Sequence, residues 1–259
     1  MYSNFIRIIY PFLFIFLFYY CSEDNSINQP PDQNKPNYFP DSEGSFYKYE
    51  IVETDSNGLL SIGFRNVYYM EDTVINRTPY QKQKDSVQSN GQNSITESYF
   101  RTTGTGVFYF VDTTGIINLF PDSILSSIDL QSEMRAFLFP LASGNSWPVY
   151  RISIILDEFA NYNIVDFTGK YLNDEPLQLN LNGELKLLDT KKIEYNFLIQ
   201  TDPAEEPVIF RANSWLAEDI GVVKREGNSL ILGLLSGSVL ELSDTSIVVT
   251  HNLIEYDIK

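Results

Sequence analysis

Cysteine and histidine are almost missing from this chain, whose 259 residues contain one of each. A single cysteine excludes a disulfide within the chain, and one cysteine with one histidine excludes a zinc site built from these ligands. Basic residues are also scarce, with 18 Lys and Arg against 34 Asp and Glu, which gives a formal net charge of −16. Because this charge repels phosphate backbones, we expect no nucleic-acid partner.

No apolar run in the sequence is long enough to cross a membrane as a helix, which requires about 20 residues. The longest run, residues 8–20 (IIYPFLFIFLFYY), has 13 residues and follows a short segment with one Arg and no acid. These features predict a signal peptide over residues 1–20. Cys21 comes next, and the polar residues 22–37 predict a flexible tether between Cys21 and a folded region.

An apolar run that stops at the chain's single cysteine resembles the lipobox of bacterial lipoproteins, and Ser22-Glu23-Asp24 resembles the export signal of Bacteroidetes-type surface lipoproteins. The resemblance implies cleavage before Cys21, acylation of Cys21 with chains such as palmitate, and a lipid-anchored protein of the cell envelope, at the outer membrane or cell surface. Residues 18–20 (FYY) depart from the small residues of that family, which bears on how efficiently the leader is cleaved. An uncleaved anchor and an ordinary leader with a chance cysteine are the alternatives.

Aromatic residues are abundant, with 17 Tyr and 18 Phe, and they suit half-buried pleated surfaces. Apolar and polar residues alternate over 47–51, 151–154, 177–182 and 193–200, a pattern typical of antiparallel strands with one buried face. Asn-Gly pairs at 57–58, 90–91 and 182–183, and the polar residues 189–192, predict hairpin turns. The sequence therefore predicts an all-β domain over residues 38–259 with one minor helix, Ser123–Phe137.

A short motif occurs twice. Phe39-Pro40-x-x-x-Gly44 recurs as Phe139-Pro140-x-x-x-Gly144, each time before a predicted strand. Similar turn chemistry within one domain explains this recurrence, and a duplication with lobes 38–137 and 138–259 is the alternative.

Two segments, FPLASGNSW (139–147) and WLAEDIGVVK (215–224), resemble the motifs FPxxxGxxW and WxAxxIGxVK of uncharacterised bacterial envelope lipoproteins. The resemblance implies a strongly curved antiparallel sheet, a half-barrel similar to that of the periplasmic lipoprotein carriers. It implies no established activity.

No residue pattern predicts a catalytic centre, so we expect neither an enzyme nor a cofactor. Glu53, Asp55 and Asn57 form the first half of a calcium loop, but Phe64 stands where its closing acid is required, and a plain hairpin explains the same residues. Trp147 and Trp215 are candidate walls of an apolar or sugar-stacking site, or else plugs that seal a curved sheet. His251 lies in a strand-like run, where we expect a surface or half-buried position.

Two functions remain open. The first is a membrane-anchored binding module whose concave sheet face holds a lipid or another hydrophobic small molecule. The second is a structural or interaction protein that displays a β surface to another envelope component.

Overall fold

The computed structural model describes residues 36–55, 57–58, 60–89, 91–113, 127–157, 160–201, 204–237 and 247–259. The predicted signal peptide, Cys21 and nearly all of the predicted tether lie outside these residues. Residues Pro36–Lys259 form one compact unit. Within the described ranges, no helix has the length and apolar content that crossing a membrane requires.

Thirteen strands and a short helix make up the described secondary structure. The strands are β1 (Phe46–Thr54), β2 (Leu60–Ile75), β3 (Thr78–Ser89), β4 (Gln92–Thr103), β5 (Gly106–Phe110), β6 (Ile128–Leu130), β7 (Glu133–Leu138), β8 (Ser146–Asp157), β9 (Ala160–Leu181), β10 (Glu184–Ile199), β11 (Val208–Ala217), β12 (Gly221–Asn228) and β13 (Val248–Asp257). The helix, α1, spans Ser229–Leu234.

All thirteen strands belong to one antiparallel sheet, in the order β6-β8-β9-β10-β11-β12-β13-β1-β2-β3-β4-β5-β7. The sheet is open and curled, and β7 and β8, near its two ends, lie beside each other without pairing. The prediction of an all-β fold built on a curved antiparallel sheet with a minor helix is confirmed.

The two halves of the sheet follow the same connection order. Strands β1 to β5 form a meander whose last strand pairs with β7, and β8 to β12 form a meander whose last strand pairs with β13. The repeated Phe-Pro motif precedes each meander, and its glycines have similar positive φ angles, 82° at Gly44 and 85° at Gly144. The two motif copies therefore mark equivalent corners of the sheet.

The seam between β7 and β8 is bridged by side chains. Trp147 Nε1 donates to the backbone oxygen of Arg135 at 3.1 Å, and the Tyr195 hydroxyl donates to the backbone oxygen of Ala136 at 2.9 Å. These bonds satisfy two backbone carbonyl oxygens of β7 on the side where β7 has no paired strand. Side-chain donors thus hold the curled sheet together at this seam.

The predicted helix Ser123–Phe137 is wrong over the part that the structure describes. Residues 128–130 and 133–138 are strands β6 and β7, and residues 114–126 lie outside the described part of the chain. Met134 and Ala136 of β7 face the core at period-two spacing, and pairing with β5 satisfies the backbone. Tertiary strand pairing overrides the local helical signal here.

The hairpin predictions have mixed outcomes. Asn182 and Gly183 both have positive φ, 54° and 83°, and they connect β9 to β10 as expected. Residues 189–192, predicted as a turn, lie inside β10, where the strand continues through a register shift after Lys192. A turn that was not predicted joins β2 to β3 at Asn76 and Arg77, with φ of 50° and 69°.

The core lies on the concave face of the sheet, where aromatic side chains from both halves meet. Phe100, Phe137, Phe167 and Tyr195 are all inaccessible to solvent. Asn228 caps the N-terminus of helix α1, and its Oδ1 accepts a hydrogen bond from the Leu230 backbone N–H at 3.0 Å. Its Leu230, Ile231 and Leu232 are buried, so the helix fills part of the concave face.

Candidate functional site

An apolar cavity of about 330 Å³ lies on the concave face of the sheet. Its walls combine residues of β4 and β5 with residues of β7 to β10 and of the end of α1. The lining residues are Glu97, Ser98, Tyr99, Tyr109, Phe110, Val111, Asp112, Met134, Tyr150, Ile152, Val165, Phe167, Phe197, Leu234 and Gly237. Both halves of the sheet therefore contribute to a single hollow.

Irregular pairing of β8 shapes one wall of this cavity. The register between β8 and β9 shifts after Pro148 and again after Ile152. A shift of this kind reverses which residues face inward, and both Val149 and Tyr150 are consequently buried. Tyr150 and Ile152 then face the cavity together with Val165 and Phe167 of β9.

Two of the tyrosines that line the cavity, Tyr109 and Tyr150, donate their hydroxyl hydrogens to partners outside the lining. The Tyr150 hydroxyl donates to the backbone oxygen of Gln131 at 3.0 Å, and the Tyr109 hydroxyl donates to Gln83 Oε1 at 3.0 Å. Burial raises the pKa of both phenols to about 12, so both are neutral at physiological pH. The rings are therefore free to contact a ligand as apolar surfaces.

Charge occurs only at the margin of the cavity lining. Glu97 and Asp112 are exposed, and Glu97 Oε1 lies 2.8 Å from the ammonium nitrogen of Lys82. Inside this margin, the lining consists of aromatic and aliphatic residues together with Ser98 and Gly237. The apolar part of this lining can contact an apolar group.

A buried polar cluster lies behind the Tyr109 wall. Arg65 Nε donates to Asp85 Oδ1 at 2.5 Å, and Gln83 Nε2 donates to Asp85 Oδ2 at 2.5 Å. Gln83 also donates to the backbone oxygen of Ser236, just after α1, at 3.3 Å. Strands β2, β3 and β5 and the end of α1 are thereby linked through one set of polar contacts.

A second arginine, Arg225 of β12, completes the polar cluster. Its Nη1 donates to Ser236 Oγ at 2.9 Å, and His251 is its register partner on β13. His251 is buried, and burial, followed by the positive charges of Arg65 and Arg225, lowers its pKa well below the ordinary value. A small void of about 20 Å³ is lined by Arg65, Arg225, Tyr49 and eight further residues.

The sequence did not predict this cluster. Arg65, Asp85 and Arg225 occupy inward positions of strands whose neighbouring inward residues, such as Val67 and Val223, are apolar. A charged residue at an inward register position is the signal that could have revealed them. His251 is more buried than expected, because β13 lies in the middle of the sheet.

The two tryptophans lie away from the cavity. Trp147 is buried at the β7–β8 seam, packed edge-to-face against Tyr195. Trp215 is also buried, and the ammonium nitrogens of Lys192 and Lys224 lie 4.8 Å and 4.7 Å from its ring centroid. Neither indole is among the residues that line the cavity.

The calcium candidates lie at the β1–β2 hairpin. Asp55 Oδ1 accepts from the Asn57 backbone N–H at 2.8 Å, and Glu53 Oε2 accepts from Ser89 Oγ at 3.2 Å. In the part of the chain that the structure describes, no three His, Cys, Asp or Glu side chains cluster closely enough to hold a metal.

Comparisons with known proteins give a likeness in structure alone. A lipoprotein candidate from Parabacteroides distasonis has 13% sequence identity and a TM-score of 0.44, covering 87% of this chain and all of its own. A candidate exported protein with a YmcC-like fold from Bacteroides fragilis has 12% identity and a TM-score of 0.45, covering 86% of this chain and all of its own. No protein-family model matches the chain. A search of curated proteins finds no significant relative.

Proposed function

We propose that this protein is a non-enzymatic, lipid-anchored envelope lipoprotein that binds an apolar ligand in the concave cavity. The observation that carries the proposal is the cavity of about 330 Å³, walled by aromatic and aliphatic residues from both halves of the sheet. Protein cores are close-packed and contain few voids larger than a water molecule. A hollow of this size is therefore unusual, and ligand binding explains it. Apolar walls favour an apolar occupant over water.

The size of the cavity limits the ligand. Its volume lies near the lower end of the range for small-molecule pockets, roughly 300–1,000 Å³. A single acyl chain or another compact hydrophobe fits this volume better than a lipid with several chains.

The proposed membrane attachment rests on the leader and Cys21. A protein with a net charge of −16 gains no electrostatic attraction to anionic headgroups. Two or more acyl chains give stable anchoring, whereas one chain gives only marginal binding. Lipidation of Cys21 therefore supplies the attachment, at the outer membrane or cell surface.

Ligand binding is tested with a substitution that fills the cavity. Ile152→Phe adds volume at a buried lining position, while Ile155→Phe makes the same change at an exposed position of the same strand. We expect Ile152→Phe to weaken binding of a fluorescent acyl probe at least tenfold, and Ile155→Phe to leave it unchanged. Equal affinities in correctly folded variants would contradict the proposal.

A second, smaller substitution tests the same cavity if the Ile152→Phe variant does not fold. Val165→Thr keeps the side-chain shape at a buried lining position but introduces a hydroxyl. We expect weaker probe binding, because the hydroxyl loses its water partners when an apolar chain covers it. Native mass spectrometry of the wild-type protein gives the direct measurement, in which a co-purified lipid is the expected result.

Lipid anchoring is tested at Cys21. Mass spectrometry of the mature N-terminus should find Cys21 as the first residue, with acyl chains attached. In the Cys21→Ser variant these chains should be lost and the protein should leave the membrane fraction. An unmodified protein that begins at another residue would exclude the anchoring proposal and leave ligand binding to be decided separately.

An interaction protein is the second candidate, favoured by two leucines on the β9–β10 hairpin. Leu185 and Leu187 are 70% and 72% exposed and share one face of β10. If this face contacts another envelope component, cross-linking from this hairpin should capture one stoichiometric partner. The double change Leu185→Ser and Leu187→Ser should abolish that cross-link without changing binding of the acyl probe.

A further inference from the structure

We propose that the buried polar cluster contains a second binding site, for a small anion of the halide class, centred on Arg225. This site is distinct from the apolar cavity, and the argument for it is independent of the proposed function. Tyr109 lines both hollows, whereas Arg225 lines only the small one. The proposal rests on an unsatisfied buried cation, the charge of its surroundings and the size of the adjoining void.

Arg225 is a buried cation whose hydrogen bonding is incomplete. The residue is 4% exposed, its Nη1 donates to Ser236 Oγ at 2.9 Å, and its Nε has no acceptor among the described residues. No carboxylate of the described residues lies within ion-pair distance of it. A buried donor left without a partner destabilises a protein, and more so when it is charged.

The charges around Arg225 leave the cluster positive. Asp85, the one carboxylate of the cluster, is already engaged by Arg65 Nε and Gln83 Nε2, each at 2.5 Å. His251 adds no further positive charge at physiological pH, because burial together with Arg65 and Arg225 lowers its pKa well below the ordinary value. Among the described residues, two guanidinium groups and one carboxylate therefore give this buried cluster one net positive charge, which a bound anion would balance.

No hydroxyl oxygen of the described residues accepts a hydrogen bond from Arg225 Nε, and the hydroxyl groups of Tyr49 and Tyr47 donate elsewhere. The Tyr49 hydroxyl donates to the backbone oxygen of Val222 at 2.9 Å, and the Tyr47 hydroxyl donates to that of Pro40 at 3.1 Å. A water molecule could accept from Arg225 but would leave the net charge in place. An anion accepts the same hydrogen bond and also neutralises the cluster.

The void selects a small anion. Its volume of about 20 Å³ exceeds the roughly 10–15 Å³ that one water-sized occupant requires. Phosphate, sulfate and carboxylate ligands are several times larger than one such occupant. A monatomic anion, of which chloride is the abundant example, matches both the size and the charge.

Bromide provides a direct test, because it replaces chloride and scatters anomalously. Crystals of the mature protein soaked in sodium bromide should show an anomalous peak in contact with the Arg225 guanidinium. A bromide peak elsewhere only, or a void that holds water at high bromide concentration, would overturn the proposal. This outcome is decided on the wild-type protein and does not depend on the folding of any variant.

Solution measurements supply a second test with a matched control. The Tm of the wild-type protein should rise when chloride or bromide replaces gluconate, a carboxylate too large for the void, at constant ionic strength, because an anion that binds the folded state stabilises it. Arg225→Met keeps the side-chain length without the charge and should remove this halide dependence. Arg151→Met, at an exposed arginine, should keep it, and equal halide dependence in both variants would contradict the site.

Discussion

Arg65 and Asp85 form an ion pair inside the protein, with Arg65 Nε 2.5 Å from Asp85 Oδ1 and side-chain exposures of 6% and 4%. The two residues lie on the neighbouring strands β2 and β3, and the pair faces the concave side of the sheet. Gln83 donates to the second carboxylate oxygen, so Asp85 is held on both sides. Removal of one partner therefore leaves a buried charge without compensation.

Asp85→Asn should lower the free energy of unfolding by about 3–5 kcal/mol, because the buried Arg65 guanidinium then lacks its counter-charge. Urea denaturation followed by circular dichroism measures the loss. Asp166→Asn is the control, since its partner Arg151 is 45% exposed and surface pairs contribute only about 0–1 kcal/mol. Similar losses of unfolding free energy in the two variants would show that the buried pair stabilises the protein no more than the surface pair does.

Stability should fall with pH below the ordinary His pKa of 6.5. In the folded state, burial together with Arg65 and Arg225 lowers the pKa of His251, so the unfolded chain binds the extra proton first. Stability from this group is thus complete above pH 6.5 and is lost as pH falls towards the folded pKa, by up to ~1.4 kcal/mol per pH unit. Denaturation at a series of pH values between 7.5 and 5 measures the slope.

His251→Gln should remove this slope, because the chain contains no other histidine. Protonation of carboxylates changes the stability only at lower pH. A hydrogen bond from Arg101 lowers the pKa of Glu133, and its stabilisation is lost only as pH falls below its ordinary value of 4.5. A slope that persists between pH 6.5 and 5 in the variant would assign it to groups other than His251.

Gly169→Ala should destabilise the β7–β8 seam. A Cβ at residue 169 would lie 2.5 Å from the Trp147 ring, which is held by its hydrogen bond to Arg135. We expect a loss of about 1–3 kcal/mol and a change in tryptophan fluorescence as the ring moves. Gly104→Ala is the control, since nothing lies within 4 Å of its Cβ position, and it should be near neutral.

Arg77→Gly should stabilise the β2–β3 hairpin by up to about 1 kcal/mol. Arg77 has a φ of 69°, a region that is unfavourable for residues with a Cβ and open to glycine. Asn182→Gly, at φ 54°, should instead destabilise, because the Asn182 side chain accepts from the Tyr256 backbone N–H at 3.1 Å. Thermal denaturation should give a higher Tm for Arg77→Gly and a lower Tm for Asn182→Gly than for the wild-type protein. A higher Tm for both variants would contradict this explanation.

Much of the sheet could be predicted from local patterns, because alternation over residues such as 193–200 reports directly on a strand with one buried face. The helix prediction failed for β7 because the residues of β5 that pair with it lie far away in sequence. Local propensity contains no information about such a partner. The same reason explains why 189–192 is an uninterrupted strand and not a turn: its partners on β9 and β11 decide its conformation.

The candidate site was less predictable than the fold. The cavity depends on residues from both halves, such as Met134 and Phe197, which become neighbours only when the sheet curls. The buried cluster depends on which inward positions of β2, β3 and β12 face one another across the interior. Sequence patterns assign a residue to the inner face, but they do not show what lies opposite.

The central position of β13 has a consequence for how the protein folds. This strand joins the two halves by pairing with β12 and with β1, and Phe46 lies opposite Asp257 in that ladder. Contacts between such distant parts of a chain slow folding, because a large loop must close before they form. Until β13 is in place, β1 and β12 are exposed strand edges that can pair with other chains. Aggregation during folding is thus a hazard of this architecture, and substitutions that weaken β13 should reduce the yield of folded protein more than equally destabilising substitutions elsewhere.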